Sequence, residues 1–104
     1  MRDIHIAQLD KPRPVLVLTR EPARAAMRRV TVAPITTTAK GLSTEVRVGP
    51  PNGLDQECVI TCDNIVTVAK AQLGRHIGFF FERQEHELTA AIINAFALRS
   101  DDLW

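Results

Sequence analysis

A chain of 104 residues with 45% apolar side chains is long and apolar enough for one domain, residues 1–104, around one core, and nothing in its composition points to disorder. Thirteen Lys and Arg against twelve Asp and Glu leave it close to neutral, and no stretch reaches the roughly eighteen consecutive apolar residues of a membrane span. The first ten residues, MRDIHIAQLD, interleave charge with hydrophobe, so neither export nor membrane insertion is indicated. The charges are unevenly distributed: residues 1–50 hold nine basic and four acidic side chains, residues 51–104 four and eight. That division suits a polyanion partner on one side.

Short apolar runs separated by turn formers fill the first two-thirds of the chain, as in a curled antiparallel sheet. DIHIAQL (3 to 9) alternates Ile4 and Ile6 with His5 and Ala7. PVLVLT (14 to 19) is apolar on both faces, which predicts a central strand covered on each side. Pro14 can only open that strand, because it brings no N–H to the ladder. REPARAAMRR (20 to 29) reads as a loop or one or two helical turns. VTVAPIT (30 to 36) alternates until Pro34 disturbs the pairing, and TEVRV (44 to 48) alternates again before the turn GPPNG (49 to 53).

CVITCDNIVTV (58 to 68) is either one bent strand or two in sequence, with Asp63 and Asn64 at the bend. Its Cys58 and Cys62 stand four extended residues apart, roughly 13 Å and beyond the reach of one disulfide, so both are expected to be reduced and the protein cytosolic. HIGFFF (76 to 81) is a last strand in which Gly78 permits a sharp bend or a close approach. Leu88, Ala91, Ile92, Ala95 and Phe96 then recur with helical spacing and predict an amphipathic helix from about Arg83 to Arg99. Glu82, Glu85 and Glu87 at its start and Arg99 at its end suit the helix dipole. The tail SDDLW has no periodicity, and its Leu103 and Trp104 either pack on the body or fray. These elements make the fold class mainly β with α, a small curled barrel closed by a C-terminal amphipathic helix.

The usual catalytic signatures are mostly absent: there is no H-x-x-x-H pair, no Gly-rich phosphate loop and no G-x-S-x-G elbow. Neither a metal nor a cofactor is expected. What remains is a set of polar residues at strand ends. Arg13 lies between Pro12 and Pro14, so its backbone is restricted before any ligand arrives. Thr36 opens TTTAKG (36 to 41), where Lys40 puts a cation beside a flexible glycine. If these two strands are neighbours, Arg13, Thr36 and Lys40 share one edge. Each also has a plainer reading, as a loop-ending arginine, as β-propensity and as a solvated lysine.

RPVLVLTREP, then VTVAPITTTAKGLSTEV, then ECVITCDNIVTV, LGRHIGFF and the closing helix together resemble the MazF/PemK family of toxin endoribonucleases. The likeness lies in the order and spacing of its R-P, T-T-x-x-K-G, D-N and L-x-x-x-I-G elements over residues 13 to 98. The resemblance implies a homodimer of SH3-like barrels that cuts single-stranded RNA, commonly mRNA, and is held inactive by a cognate antitoxin. It maps the family's reactive arginine onto Arg13, its reactive threonine onto Thr36, and its paired polar groups near the substrate groove onto Asp63 and Asn64. The chain departs from the family at MRDIHI, which lacks an aromatic near His5, and in a short first loop, AQLDKP, where Asp10 is the carboxylate at hand.

RNA carries its own nucleophile in the 2′-OH. Attack on the neighbouring phosphorus leaves a 2′,3′-cyclic phosphate and a 5′-OH, and the protein's task is to orient the strand and stabilise phosphoryl charge. The guanidinium of Arg13 suits that charge, and the hydroxyl of Thr36 suits the same phosphate or the attacking oxygen. Candidates for proton transfer are Asp10, His5 and His76. With no Tyr and a single Trp, base reading would rest on polar groups: Lys40, Asp63, Asn64 and GLSTE (41 to 45). Two apolar faces on PVLVL and GFFF imply that a partner subunit covers the surplus. Two other classes fit the same barrel: a gyrase poison resembling the CcdB group, and an RNA-binding module without activity.

Overall fold

The computed structural model describes residues 1–99, so the expectation for Leu103 and Trp104 lies outside the described residues. Seven strands form one curled antiparallel sheet: β1 (Arg2–Gln8), β2 (Pro12–Val17), β3 (Arg29–Thr36), β4 (Glu45–Val48), β5 (Cys58–Thr61), β6 (Val66–Ala69) and β7 (Leu73–Phe80). Their order is β4-β5-β3-β2-β1-β7, with β6 added to β3. Helix α1 (Glu21–Arg24) fills the β2–β3 connection, and α2 (Glu85–Phe96) closes the barrel.

β2 lies between β1 and β3 as its composition requires, and Val15, Leu16 and Val17 are all buried. Leu16 joins Ile4, Ile35, Ile60 and Phe80 in the main core beneath Leu88 and Ala91 of α2. A second cluster unites Val15 and Val17 with Ala7, Val30, Val32 and Val68. This corrects the expectation that a partner subunit is needed to cover the far face of PVLVL. β6, paired back onto β3, supplies Val68, and Leu73 from β7 packs alongside, so the chain covers that face itself.

Pro34 marks a seam. β3 pairs with β6 from Arg29 to Val32 and with β5 at Ile35 and Thr36, so the strand changes partner where proline offers no donor. The Pro34 carbonyl accepts the Thr61 hydroxyl at 3.0 Å. The run 58–68 is accordingly two strands, separated by a 3-10 turn over Cys62–Asn64. Cys58 and Cys62 are both free thiols and buried.

The turn after β4 rests directly on β7. Gly53 has φ +93°, and a Cβ at Gly78 would collide with the Asn52 carbonyl oxygen, which explains Gly78 as a close approach. Asn52, 3% exposed, ties this corner together. Its Oδ1 accepts the Gly49 N–H at 3.1 Å, and its Nδ2 donates to Phe79 O and Gln84 Oε1, both at 2.8 Å.

The helix is shorter than its periodicity predicts. A 3-10 turn, Glu82–Gln84, precedes α2, and Ala97 ends it at φ 52° with the Leu98 N–H donating to Ile93 O at 2.9 Å. That left-handed cap places Arg99 beyond the last turn. Leu88 and Ala91 are buried, whereas Phe96 is 57% exposed, because the end of α2 overhangs the core. At the other end Arg2 grips Glu85 through Nε and Nη2, at 2.8 and 3.1 Å, and gives Nη1 to Leu18 O at 2.9 Å.

Candidate active site

β2 and β3 are neighbours, in register at Val15↔Pro34, Leu16↔Ala33 and Val17↔Val32, and Arg13 and Thr36 lie just past the Val15↔Pro34 end of that ladder, where both line one cleft. The two residues singled out in sequence thus stand on adjacent strands, with Pro12 and Pro14 restricting the backbone around the arginine. The tight β1–β2 turn brings Asp10 back against Arg13 as a two-pronged pair, Nε to Oδ1 at 2.8 Å and Nη2 to Oδ2 at 3.0 Å. The bonds from Arg13 hold the Asp10 carboxyl well below the usual carboxylate range, and Asp10 raises the Arg13 guanidinium in return.

Thr36 ends β3 and accepts the Thr38 N–H at 3.2 Å, so its own proton has no acceptor among the described residues. Loop 37–44 then curls around one carboxylate. The backbone N–H groups of Lys40, Gly41 and Leu42 all donate to Glu45, at 2.9 to 3.2 Å. These bonds, that from Lys40 foremost, lower the Glu45 pKa. Thr44 gives its hydroxyl to Asp63 Oδ2 at 2.6 Å, and Asn94 of α2 donates to Ser43 O at 3.2 Å.

Asp10, Arg13, Thr36, Lys40, Asp63 and Asn64 all line a single open cleft of about 480 Å³, together with Glu45, Thr38 and Thr44. His5 and His76 do not line it. They pair edge to face across β1 and β7, 5.1 Å between ring centres, with His5 Nδ1 donating to Gly74 O at 3.0 Å and His76 Nε2 3.1 Å from Asp3. Sequence reasoning passed over the anchoring role of Glu45, since a backbone nest leaves no pattern in side chains. The Asp10–Arg13 pair did leave one, a carboxylate three residues before an arginine across a turn.

The charge division along the chain does not become a division between faces. Second-half strands β5 and β6 both pair with β3, and β7 lies beside β1, so the halves interleave. The cleft itself holds two cations, Arg13 and Lys40, and three carboxylates, Asp10, Glu45 and Asp63. Asp10 is ion-paired with Arg13, and the Glu45 charge is stabilised by backbone N–H groups. Among the described residues, Lys40 forms no direct ion pair. A rigid guanidinium fork, a hydroxyl with an uncommitted proton and an ammonium along one cleft match the oxygens of a phosphodiester. No group of three or more His, Cys, Asp or Glu among the described residues is arranged to hold a metal ion.

Residues 3–96 match the family model described as PemK-like, MazF-like toxin of type II toxin-antitoxin system. The chain belongs to this toxin family. Endoribonuclease MazF3 of Mycobacterium tuberculosis is 58% identical over 98 residues, 94% of this chain and 95% of the relative. The solved Mycobacterium tuberculosis toxin MazF-mt6 superposes with a TM-score of 0.93 at 57% identity, over 94% of this chain and 99% of that one. A mycobacterial endoribonuclease solved with its cognate antitoxin shares the fold alone, at 23% identity and a TM-score of 0.83 over 93% of each chain. The curled sheet with its closing helix is thus the PemK-like fold, and its family supports RNA-cleaving activity.

Proposed function

We propose that this chain is a sequence-specific endoribonuclease toxin that cuts single-stranded RNA, mRNA above all, without a metal ion. The observation that carries the reading is the Arg13 fork, held by Asp10 and sharing one cleft with the Thr36 hydroxyl. In this reading the 2′-oxygen attacks the adjacent phosphorus, the P–O5′ bond breaks, and the products end in a 2′,3′-cyclic phosphate and a 5′-OH. Arg13 stabilises the charge that grows on the phosphoryl oxygens, and Thr36 donates its free proton to the same group. Asp10, bound on both oxygens by Arg13, is a weak proton acceptor, so its part is to aim the guanidinium. The 2′-OH proton leaves to solvent and the leaving oxygen takes one from it. Lys40 holds the RNA backbone, and Asp63 and Asn64 present polar groups to the bases.

The setting follows from the family. A cognate antitoxin is the expected partner, inserting an acidic segment that folds over the cleft and competes with RNA. The unbridged, buried thiols suit the cytosol. A homodimer is part of the proposal, supported by Phe96 and Leu98, both more than half exposed on the described residues. Light scattering on the purified protein reads that mass directly.

The deciding experiment incubates the protein with a long single-stranded RNA in EDTA and maps the cuts and their ends. Cuts at one short motif with cyclic phosphate and 5′-OH termini, reduced about a thousand-fold by Arg13→Ala, are the expected result. RNA retained uncut points to a binding module, and RNA ignored while supercoiling is inhibited points to a gyrase poison.

A further inference from the structure

Glu45 sits at the first position of β4, with its carboxylate turned back into the loop that precedes it. Three successive backbone N–H groups converge on it: Lys40 on both oxygens at 3.1 and 3.2 Å, Gly41 at 2.9 Å and Leu42 at 3.0 Å. Gly41 lies at φ +75°, the left-handed conformation that turns consecutive N–H groups toward one anion. The side chain thus acts as an internal anion around which loop 37–44 is wound. The loop's two ends are tied separately, by Thr38 N–H to Thr36 and by the Thr44 hydroxyl to Asp63. Asn94 also holds Ser43 O, and the Glu45 N–H donates to Leu42 O at 3.1 Å, but the N–H groups of Lys40, Gly41 and Leu42 have the Glu45 carboxylate as their shared anchor among the described residues.

We propose that Glu45 is a positioning residue for substrate: by filling the nest of Lys40, Gly41 and Leu42 it holds loop 37–44 against the cleft and so presents Lys40 to an RNA backbone. The inference rests on the ribonuclease reading for its substrate, while the anchoring rests on geometry alone. Glu45 touches no reacting atom, so its loss falls on binding. The depressed Glu45 carboxyl keeps the nest filled from neutral pH down past the ordinary glutamate value of 4.5. Because the folded value is lowered, the anchor is fully present above the ordinary value and is lost only as pH falls through the lower folded one.

The test combines amide NMR with steady-state cleavage on wild type, Glu45→Gln and Glu45→Ala. In wild type, the amide signals of Lys40, Gly41 and Leu42 are expected to move together in one titration below 4.5, and in Glu45→Gln that titration disappears. KM for RNA is expected to rise about three-fold in Glu45→Ala, within the loss caused by Lys40→Ala, with kcat unchanged. Glu45→Gln keeps an acceptor oxygen and should fall between, which also guards against an alanine variant that folds poorly. Three amides that ignore the carboxylate, or a loosened loop with unchanged KM, overturns the role of Glu45 and leaves the ribonuclease reading intact. Wild-type protein that shows the shared titration but leaves RNA uncut overturns the ribonuclease reading and substrate positioning with it, while the loop anchor stands.

Discussion

Two polar clusters at different corners of the barrel use the same kinds of bond to opposite ends. Around Asn52 every arm of a buried amide is engaged, to Gly49, Phe79 and Gln84, and no polar atom is left over for a ligand. In the cleft the pairs are solvent-exposed and incomplete: Arg13 keeps an Nη1 outside the Asp10 pair, Thr36 keeps its proton, and the Asn64 side chain makes no hydrogen bond among the described residues. Burial sets the difference. An unpaired polar group costs about 1–3 kcal/mol inside the barrel, whereas in the open cleft such a group stays accessible to solvent.

Substitutions at the two corners should therefore separate rate from stability. Arg13→Lys keeps the charge and loses the planar fork, and kcat should fall about 100-fold while the melting temperature stays put; a lysine enzyme with full activity would reduce Arg13 to a point charge. Asn52→Ala does the reverse. It strands the Gly49 N–H and the Phe79 carbonyl, for a loss of about 2–3 kcal/mol and roughly 10–20 °C in Tm, with kcat at low temperature retained. Calorimetry alongside RNA cleavage reads both quantities.

Asp10→Asn tests the division of labour within the cleft. The folded Asp10 carboxyl is depressed by its bonds from Arg13, so the pair is present throughout neutral pH and is lost only as pH falls through that low value. The variant should lower kcat about ten-fold by the same factor across roughly pH 5 to 8, since only the aim of the guanidinium is lost. An acid limb in that range that vanishes with Asp10→Asn would make Asp10 the base instead. The smallest effect belongs to Lys40→Ala, a few-fold rise in KM with the slope of log affinity against log salt reduced by about 0.7. An unchanged slope would remove Lys40 from the phosphate backbone.

The strands and their order of burial were legible because alternation reports burial directly, as in β1 and β4, and because unbroken PVLVL demands cover on both sides. What covers it was not legible. Whether the second face meets a partner subunit or the chain's own β6 depends on the path after Asn64, which no local pattern specifies. The end of α2 was misread for a related reason: apolar spacing continues through Phe96, but a left-handed Ala97 stops the helix and the core gives out beneath it. In the cleft, spacing and resemblance drew Arg13, Thr36, Lys40, Asp63 and Asn64 toward one place, and all of them line it. Glu45 stayed hidden, because its partners are backbone N–H groups common to almost every residue.

The two cysteines turn the barrel into its own gauge of opening. Burial raises the Cys58 thiol and pushes that of Cys62, beside the cleft residue Asp63, up to about 11. Only a thiolate reacts readily with alkylating reagents, so both sulfurs should label slowly while β5 and the turn after it stay seated, and faster when they lift. The rate of labelling in the intact protein, with and without RNA, then counts how often the wall behind Asp63 and Asn64 comes away, without any introduced probe.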